Sequence, residues 1–176
     1  MSWSGLRVRA LLAALLAFAA PACGYRLAGR NQLLPPEVKT IGIPPFVNST
    51  RRPEVEQRIT ERVTQTFVSR GGYRTVPGTE GADVVLKGEV TGYDQNPVNI
   101  GSDGRATRYE VVVAAKVELK DARGDKIYFR SDHFIFKRQY DVTRNAATFA
   151  DREIVAIDEV ANDFAESVVT SILEGF

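Results

Sequence analysis

Residues 107–120 alternate apolar and charged side chains with a period of two, and this stretch constrains the fold more than any other. One side of the alternation is apolar or aromatic: Tyr109, Val111, Val113, Ala115, Val117 and Leu119. The other side is mostly charged: Arg108, Glu110, Lys116, Glu118 and Lys120. Because successive side chains of a strand point to opposite faces of a sheet, the stretch predicts a β-strand with one buried and one solvated face.

Two further long strands are predicted on either side of it. In residues 82–93, one face would be formed by Val84, Leu86, Gly88, Val90 and Gly92. Residues 126–140 form the third strand, which follows a hairpin turn at residues 121–125. Residues 95–106 carry Pro97, Gly101 and Gly104 and predict a twelve-residue loop, a length typical of functional or disordered segments.

The remaining elements are two short strands and two helices. Residues 38–47 predict a short strand, whose end Pro44 and Pro45 confine to an edge, a bulge or a strand exit. Residues 53–70 predict a helix, with Pro53 in its first turn and Gly71 and Gly72 after its end, followed by a short strand at residues 73–77. Its apolar stripe is Val55, Ile59, Val63 and Phe67. Residues 148–175 predict the second helix, with Thr148 and Asp151 at its start and a stripe formed by Ile154, Ile157, Ala161, Phe164, Val168 and Ile172.

This order of elements predicts the fold class. A strand, a helix and a return strand suggest one right-handed parallel crossover, and the later hairpins suggest antiparallel pairing. Both helices can bury their apolar stripes on one face of the sheet. The predicted fold is an α+β two-layer sandwich, with a mixed, mostly antiparallel sheet of four to five strands packed against two helices. The length of 176 residues suits one such domain, placed at residues 38–176.

The amino-terminal segment predicts export and lipid attachment. Arg7 and Arg9 precede an apolar run of 11 residues that is too short to span a bilayer, so residues 1–22 read as a signal peptide. Cys23 follows at once and is the only cysteine in the chain. The stretch Ala20-Pro21-Ala22-Cys23 resembles a bacterial lipobox, which predicts that Cys23 carries lipid and begins a tether at residues 23–37. By resemblance to sorted lipoproteins, Gly24 in place of Asp favours delivery to the outer membrane. An ordinary peptidase cut, with Cys23 incidental, is the alternative.

Composition excludes several classes of function. The chain has 23 basic and 22 acidic residues, so it lacks the positive charge expected of a nucleic-acid-binding protein. Its single histidine, His133, has no neighbouring catalytic motif, and no nucleotide-binding or zinc-protease motif is present. We therefore expect no enzymatic activity, no cofactor and no metal.

Two charge patterns leave alternatives open. In the third long strand, Tyr128, Phe134, Phe136 and Tyr140 alternate with Arg130 and Arg138 and are candidate partner contacts. The other interpretation is that a bulge or a covering loop buries them. Residues 151–174 contain seven acidic residues against Arg152 alone. This indicates either a solubilising helix face or a contact with a basic partner.

The order and spacing of several short motifs resemble the LptE-type lipopolysaccharide-assembly lipoproteins. The motifs are residues 23–29 (CGYRLAG), 34–36 (LPP), 41–46 (IGIPPF) with Asn48 and Thr50, 82–88 (ADVVLKG) and 108–111 (RYEV). The resemblance implies a two-layer α/β domain held at the periplasmic side of the outer membrane by lipid on Cys23. It also implies two partners: an LptD-type outer-membrane β-barrel, whose lumen the protein plugs, and the lipopolysaccharide that it helps to assemble into the outer leaflet.

Lipopolysaccharide contacts are predicted from basic residues near the long loop and in the third long strand. The candidates are Arg105, Arg108, Arg130, Lys137 and Arg138, whose donors suit phosphate.

A second resemblance suggests another class of function. Residues 41–47, the helix after them and residues 72–76 (GYRTV) are also similar to curli-secretion lipoproteins and penicillin-binding-protein activators. Proteins of that class act as structural or interaction modules.

Overall fold

A computed structural model describes residues 34–142 and 146–175, with the backbone alone for residues 146–148. The predicted signal peptide, the lipid on Cys23, the tether up to residue 33 and the capping role of Thr148 lie outside the described residues. Within the described residues, no helix is both long enough and apolar enough to cross a membrane.

Six strands and two helices make up the described domain. The strands are β1 (Thr40–Gly42), β2 (Val47–Asn48), β3 (Arg74–Val76), β4 (Val84–Ile100), β5 (Ala106–Asp121) and β6 (Ile127–Asp141). The helices are α1 (Val55–Thr66), which continues into a wider π-helical turn at Phe67–Gly71, and α2 (Ala146–Glu174). The sheet order is β3-β1-β4-β5-β6, with β2 beside β4. β1 and β2 run parallel to β4, while β4, β5 and β6 are antiparallel, which confirms the α+β sandwich.

Two prolines divide the first predicted strand. β1 ends at Gly42 and β2 begins at Val47, with Pro44 and Pro45 between them. Because neither proline has a backbone N–H to donate, the ladder with β4 is interrupted there and resumes at the pair Val47 and Glu89. The prolines therefore interrupt the strand rather than end it.

The two apolar stripes form the core on one face of the sheet, which we call the inner face. In α1 and its π-helical turn, Val55, Ile59, Val63 and Phe67 are all buried, as predicted. The helix begins at Val55 and not at Pro53, because Glu54 has a positive φ of 68°. The stripe of α2 is also buried at Ile157, Ala161, Phe164, Val168 and Ile172. Leu34, which lies in the predicted tether, is buried in this same core.

The predicted long loop is wrong. β4 continues to Ile100 and β5 begins at Ala106, so residues 95–106 form the end of a hairpin with a short turn. Gly101 and Gly104 make that turn possible: the Gly101 amide donates to the Arg105 carbonyl over 2.7 Å, and Gly104 has a φ of 78°. Pro97 is tolerated because it lies beyond the part of β4 that pairs with β2.

Bulges change which side chains face the core. A register shift after Val90 places Gly92 opposite Ala114 on the outer face, so its predicted place on the same face as Val90 is wrong. In β6, Asp132 and His133 together oppose Lys116. This bulge turns Phe129, Phe134 and Phe136 to the inner face, whereas the strict alternation had separated them.

A carboxylate clamp holds the start of β1 against the start of β4. Asp83 Oδ2 accepts hydrogen bonds from the backbone amides of Lys39 at 3.0 Å and Thr40 at 2.9 Å. These two amides lower the pKa of the Asp83 carboxyl below its ordinary value, since they favour the charged form.

We expect Asp83→Ala to lower the midpoint of thermal unfolding by a few degrees at pH 7. The pKa of Asp83 is lowered in the folded state, so its stabilisation is present above the unfolded pKa of about 3.9 and is lost as the pH falls further. The difference from wild type should therefore shrink below about pH 4 in melts recorded across pH. Asp125→Ala, in the exposed β5–β6 turn, is the matched control. A difference that stayed constant down to pH 2 would contradict this account.

Candidate functional site

The end of the β4–β5 hairpin is the most exposed part of the long strands. Asn96 to Ile100 are all exposed, as are residues 102–105 in and beside the turn. Val98 is 44% exposed and Ile100 is 63% exposed, although both are aliphatic. Arg105 lies in the turn, where its amide donates to Asp103 Oδ1 over 3.2 Å. The hairpin end therefore presents aliphatic and cationic side chains together.

Arg108 lies on the outer face at the base of this hairpin end. Its Nε lies 2.7 Å from Asp141 Oδ1 on β6. This exposed pair lowers the pKa of Asp141 and raises that of Arg108, because each charge hydrogen-bonds the other. Lys137 is exposed on the same face, opposite Val112. Arg105, Arg108 and Lys137 thus lie toward one end of the molecule.

The other two predicted basic residues lie elsewhere. Arg138 opposes Val111 on the inner face, with its Nη2 2.5 Å from Asp163 Oδ2 and its Nε 3.5 Å from Glu159 Oε2, both on α2. It therefore ties the helix to the sheet. Arg130 lies on the outer face toward the opposite end of the sheet and pairs with Glu118. The structure brings together three of the five predicted residues.

An aromatic cluster lies where the hairpin end leaves the domain. The ring of Tyr109 stacks on that of Tyr140 with centroids 6.0 Å apart, and Phe149 of α2 meets Tyr109 edge-on at 5.2 Å. Gln95 donates to the Tyr140 hydroxyl. Burial raises the pKa of Tyr140 to about 12, so this hydroxyl stays protonated at neutral pH. The cluster fixes the base of the hairpin end.

A second polar group ties β4 to α2 and to the loop before α1. The Tyr93 hydroxyl donates to Glu153 Oε1 over 2.6 Å, and Arg52 Nε lies 3.1 Å from the same oxygen. Burial and the neighbouring Glu153 charge raise the pKa of Tyr93 well above its ordinary value. Asn48 organises the loop, since its amide donates to the Arg52 carbonyl and its oxygen accepts the Thr50 amide.

The predicted aromatic contacts lie mainly beneath α2. Phe134 and Phe136 meet Phe164 edge-on, with centroids 5.5 and 5.7 Å apart, and both are partly buried. Tyr140 belongs to the aromatic cluster at the base of the hairpin, and Tyr128 lies at a second irregularity of β6, with the Lys126 amine 4.7 Å from its ring centroid. The bulge in β6, one of the two interpretations of this pattern, places Phe134, Phe136 and Tyr140 on the inner face. Contact of the four predicted aromatic side chains with a partner stays a prediction.

Several acidic residues of α2 are used within the domain. Glu153 pairs with Arg52, Asp158 with Arg58 at 2.7 Å, and Glu159 and Asp163 with Arg138. Much of the acidic surplus of this helix is therefore internal ion pairing, which neither interpretation of its charge had included. Val98 and Ile100 were not predicted as part of the site, because their only signal in the sequence is their position beside two turn glycines.

Comparison with known proteins supports the fold and the family. The profile of the family described as "LptE: Lipopolysaccharide-assembly" matches residues 38–172. No curated protein matches the sequence. A candidate lipoprotein from Caulobacter crescentus CB15 superposes with a TM-score of 0.54 at 15% identity, covering 76% of this chain and 87% of that one. Lipoprotein B from Nitrosomonas europaea gives 0.54 at 12% identity, covering 85% and 90%.

A hypothetical protein from Chlamydia trachomatis gives a TM-score of 0.51 at 7% identity, covering 77% of this chain and 98% of that one. At these identities the structural matches establish the fold alone. The profile spans the domain from just before β1 into the last turns of α2. The chain therefore belongs to the LptE lipopolysaccharide-assembly family.

Proposed function

We propose that this protein is an outer-membrane lipoprotein that plugs and supports an LptD-type β-barrel and assists assembly of lipopolysaccharide into the outer leaflet. The observation that carries the proposal is the family profile, which covers residues 38–172 and hence nearly the whole described domain. Depletion of the protein tests it. We expect newly made lipopolysaccharide to stop reaching the surface of intact cells, measured by surface labelling. Unchanged surface delivery after complete depletion would overturn the proposal.

The hairpin end is the part of the domain best suited to lipopolysaccharide. Lipopolysaccharide is an anionic amphiphile, and the hairpin end offers guanidinium groups at Arg105 and Arg108 beside the exposed aliphatic side chains of Val98 and Ile100. Lys137 adds a third cation on the outer face. Arg138 and Arg130 are weaker candidates, because Arg138 is tied to α2 on the inner face and Arg130 lies toward the opposite end of the sheet.

Reversing the two arginine charges, in Arg105→Glu with Arg108→Glu, should weaken lipopolysaccharide binding on the order of tenfold at low salt. Each basic group near an anionic lipid surface contributes about 1 kcal/mol, and salt screens that attraction. The measurement is binding of lipopolysaccharide at two salt concentrations, with thermal melts as the check on folding. The matched control is Arg123→Glu with Lys126→Glu, which makes the same charge change in the β5–β6 turn. Equal losses in both double variants would remove the hairpin end from the proposal.

Replacing the lipid-bearing residue, in Cys23→Ala, should leave a folded domain that no longer stays in the membrane by itself. Several acyl chains, each contributing about 0.8 kcal/mol per buried CH₂, would be lost, while the core of the described residues, from Leu34 onward, does not include Cys23. Fractionation of cells that lack the barrel partner is the measurement. Retention of the Cys23→Ala protein in their membrane fraction would show that lipid is not the anchor.

A further inference from the structure

The outer face of the sheet carries a regular pattern of charge. The register of β4, β5 and β6 places Lys87, Glu118 and Arg130 in one row across the strands. The adjacent row contains Glu89, Lys116 and Asp132, the last within the β6 bulge opposite Lys116. Across the sheet the signs are positive, negative, positive in the first row and negative, positive, negative in the second.

The charges in these two rows are held in place within the chain. Lys116 Nζ lies 2.8 Å from Glu89 Oε2, and Arg130 pairs with Glu118. The two cations remain accessible, because the Lys116 side chain is 47% exposed and that of Arg130 is 58% exposed. These charged side chains are therefore ordered before a partner binds. Binding at this face then costs little additional side-chain entropy.

Exposed aliphatic side chains border the charged rows on the same face. Val47 of β2 pairs with Glu89 and is 59% exposed, and Pro45 precedes it on the same side of the chain and is also exposed. On β6, Ile127 and Ile135 are 45% and 57% exposed and lie on opposite sides of the two rows. Both helices in the described part of the chain pack on the inner face, so neither covers these residues.

This pattern is complementary to itself under a two-fold rotation. An axis that lies between two stacked sheets, perpendicular to the strands, exchanges the two rows and keeps each strand over the same strand of the second copy. Lys87 then faces Glu89, Glu118 faces Lys116, and Arg130 faces Asp132, twice each. Ile127 comes to lie over Ile135, and Pro45 over Val47. An axis parallel to the strands would instead place Lys87 over Arg130.

We propose that the outer face is the interface of a weak, salt-sensitive two-fold dimer formed with a second copy of this chain. Such an interface is isologous, with each copy contributing the same surface. Thirteen accessible positions on β2, β4, β5 and β6, at about 4.8 Å between strands and about 6.6 Å between rows, cover about 400 Å² on each copy. The total of about 800 Å² lies below the usual size of specific interfaces, so only a weak, transient dimer is expected. This proposal is independent of the proposed function.

Two single charge reversals test the proposed symmetry. In Lys116→Glu the new carboxylate faces Glu118 of the second copy, and in Glu118→Lys the new amine faces Lys116. Each variant alone should therefore be monomeric. In an equimolar mixture, the reversed residue of each variant faces the reversed residue of the other, and the two unreversed residues face each other, so opposite charges meet at both positions. Mixing should therefore restore the dimer, whereas it cannot restore the ion pairs that each chain has lost internally.

The measurement is sedimentation equilibrium of the mature chain up to about 1 mM, where a dimer with a Kd of about 0.1 mM is mostly formed. Every sample carries Cys23→Ala, so the chain has no lipid and is measured without detergent, whose bound mass would be added to that of the protein. We expect wild type and the mixture to dimerise, each reversal alone to lose at least tenfold in association constant, and high salt to weaken both dimers. A monomeric wild type at low salt, dimers in both single variants, or a mixture that stays monomeric would each overturn the proposal.

Discussion

Phe164→Ala should destabilise the domain by about 3–5 kcal/mol, the largest single effect that we expect from a core truncation. Phe164 is 1% exposed, and its ring meets those of Phe46, Phe134 and Phe136 edge-on at 5.5 to 6.1 Å. Its removal leaves a cavity between α2, β6 and Phe46, which directly precedes β2. The neighbouring aromatic rings are rigid and cannot fill that cavity. Urea denaturation of the mature chain measures the loss as a lower midpoint with an unchanged slope.

Val155→Ala is the matched control for this prediction, because Val155 lies on the same helix and is 56% exposed. Its effect should stay within about 0.5 kcal/mol. A loss below about 1 kcal/mol for Phe164→Ala would show that α2 does not pack on the sheet as described.

Gly88→Ala should destabilise the domain by about 1–3 kcal/mol or more, although it adds only one methyl group. A Cβ atom at Gly88 would lie 2.1 to 2.4 Å from three carbons of the Phe46 ring, so that ring would have to move. Phe46 is itself 3% exposed and packs on Phe164, which leaves it little room. The measurement is again urea denaturation, with Gly124→Ala as the control, because a Cβ there meets its nearest atom at 3.6 Å.

A double-mutant cycle separates the steric cause from a general strand effect. In a Phe46→Leu background, whose smaller side chain leaves more room, Gly88→Ala should cost at least 1 kcal/mol less than it does in the wild type. Equal costs in the two backgrounds would assign the destabilisation to the strand backbone and contradict the close packing of Phe46 on Gly88.

Much of the fold could be predicted because periodicity reports burial directly. The alternation in β5 predicted its buried face from Val111 to Leu119, and the four-residue spacing in α1 predicted its buried stripe. Single-residue insertions in a strand leave no such signal. The bulges at Thr91, at Tyr128 and at Asp132 with His133 each reverse the faces of the side chains that follow, up to the next irregularity, so strict alternation failed for Gly92 and Phe129.

The candidate site was predicted less completely, because ion pairing depends on distant parts of the chain. The sequence gives no sign that Arg138 lies beside Asp163, 25 positions further along, or that Glu153 meets both Arg52 and Tyr93. The aliphatic residues Val98 and Ile100 lie in the stretch that the sequence predicts as a loop, because turn glycines follow at positions 101 and 104. β4 instead continues to Ile100, and both side chains are exposed on it.

We propose that this chain acts with an outer-membrane barrel in lipopolysaccharide assembly. The most direct test is isolation of the lipidated, tagged protein from outer membranes in mild detergent, with mass spectrometry of what accompanies it. We predict one large β-barrel protein in equimolar amount, together with lipopolysaccharide. Isolation of a closed ring made of this chain alone, or of a complex with a peptidoglycan synthase and no barrel, would contradict the account.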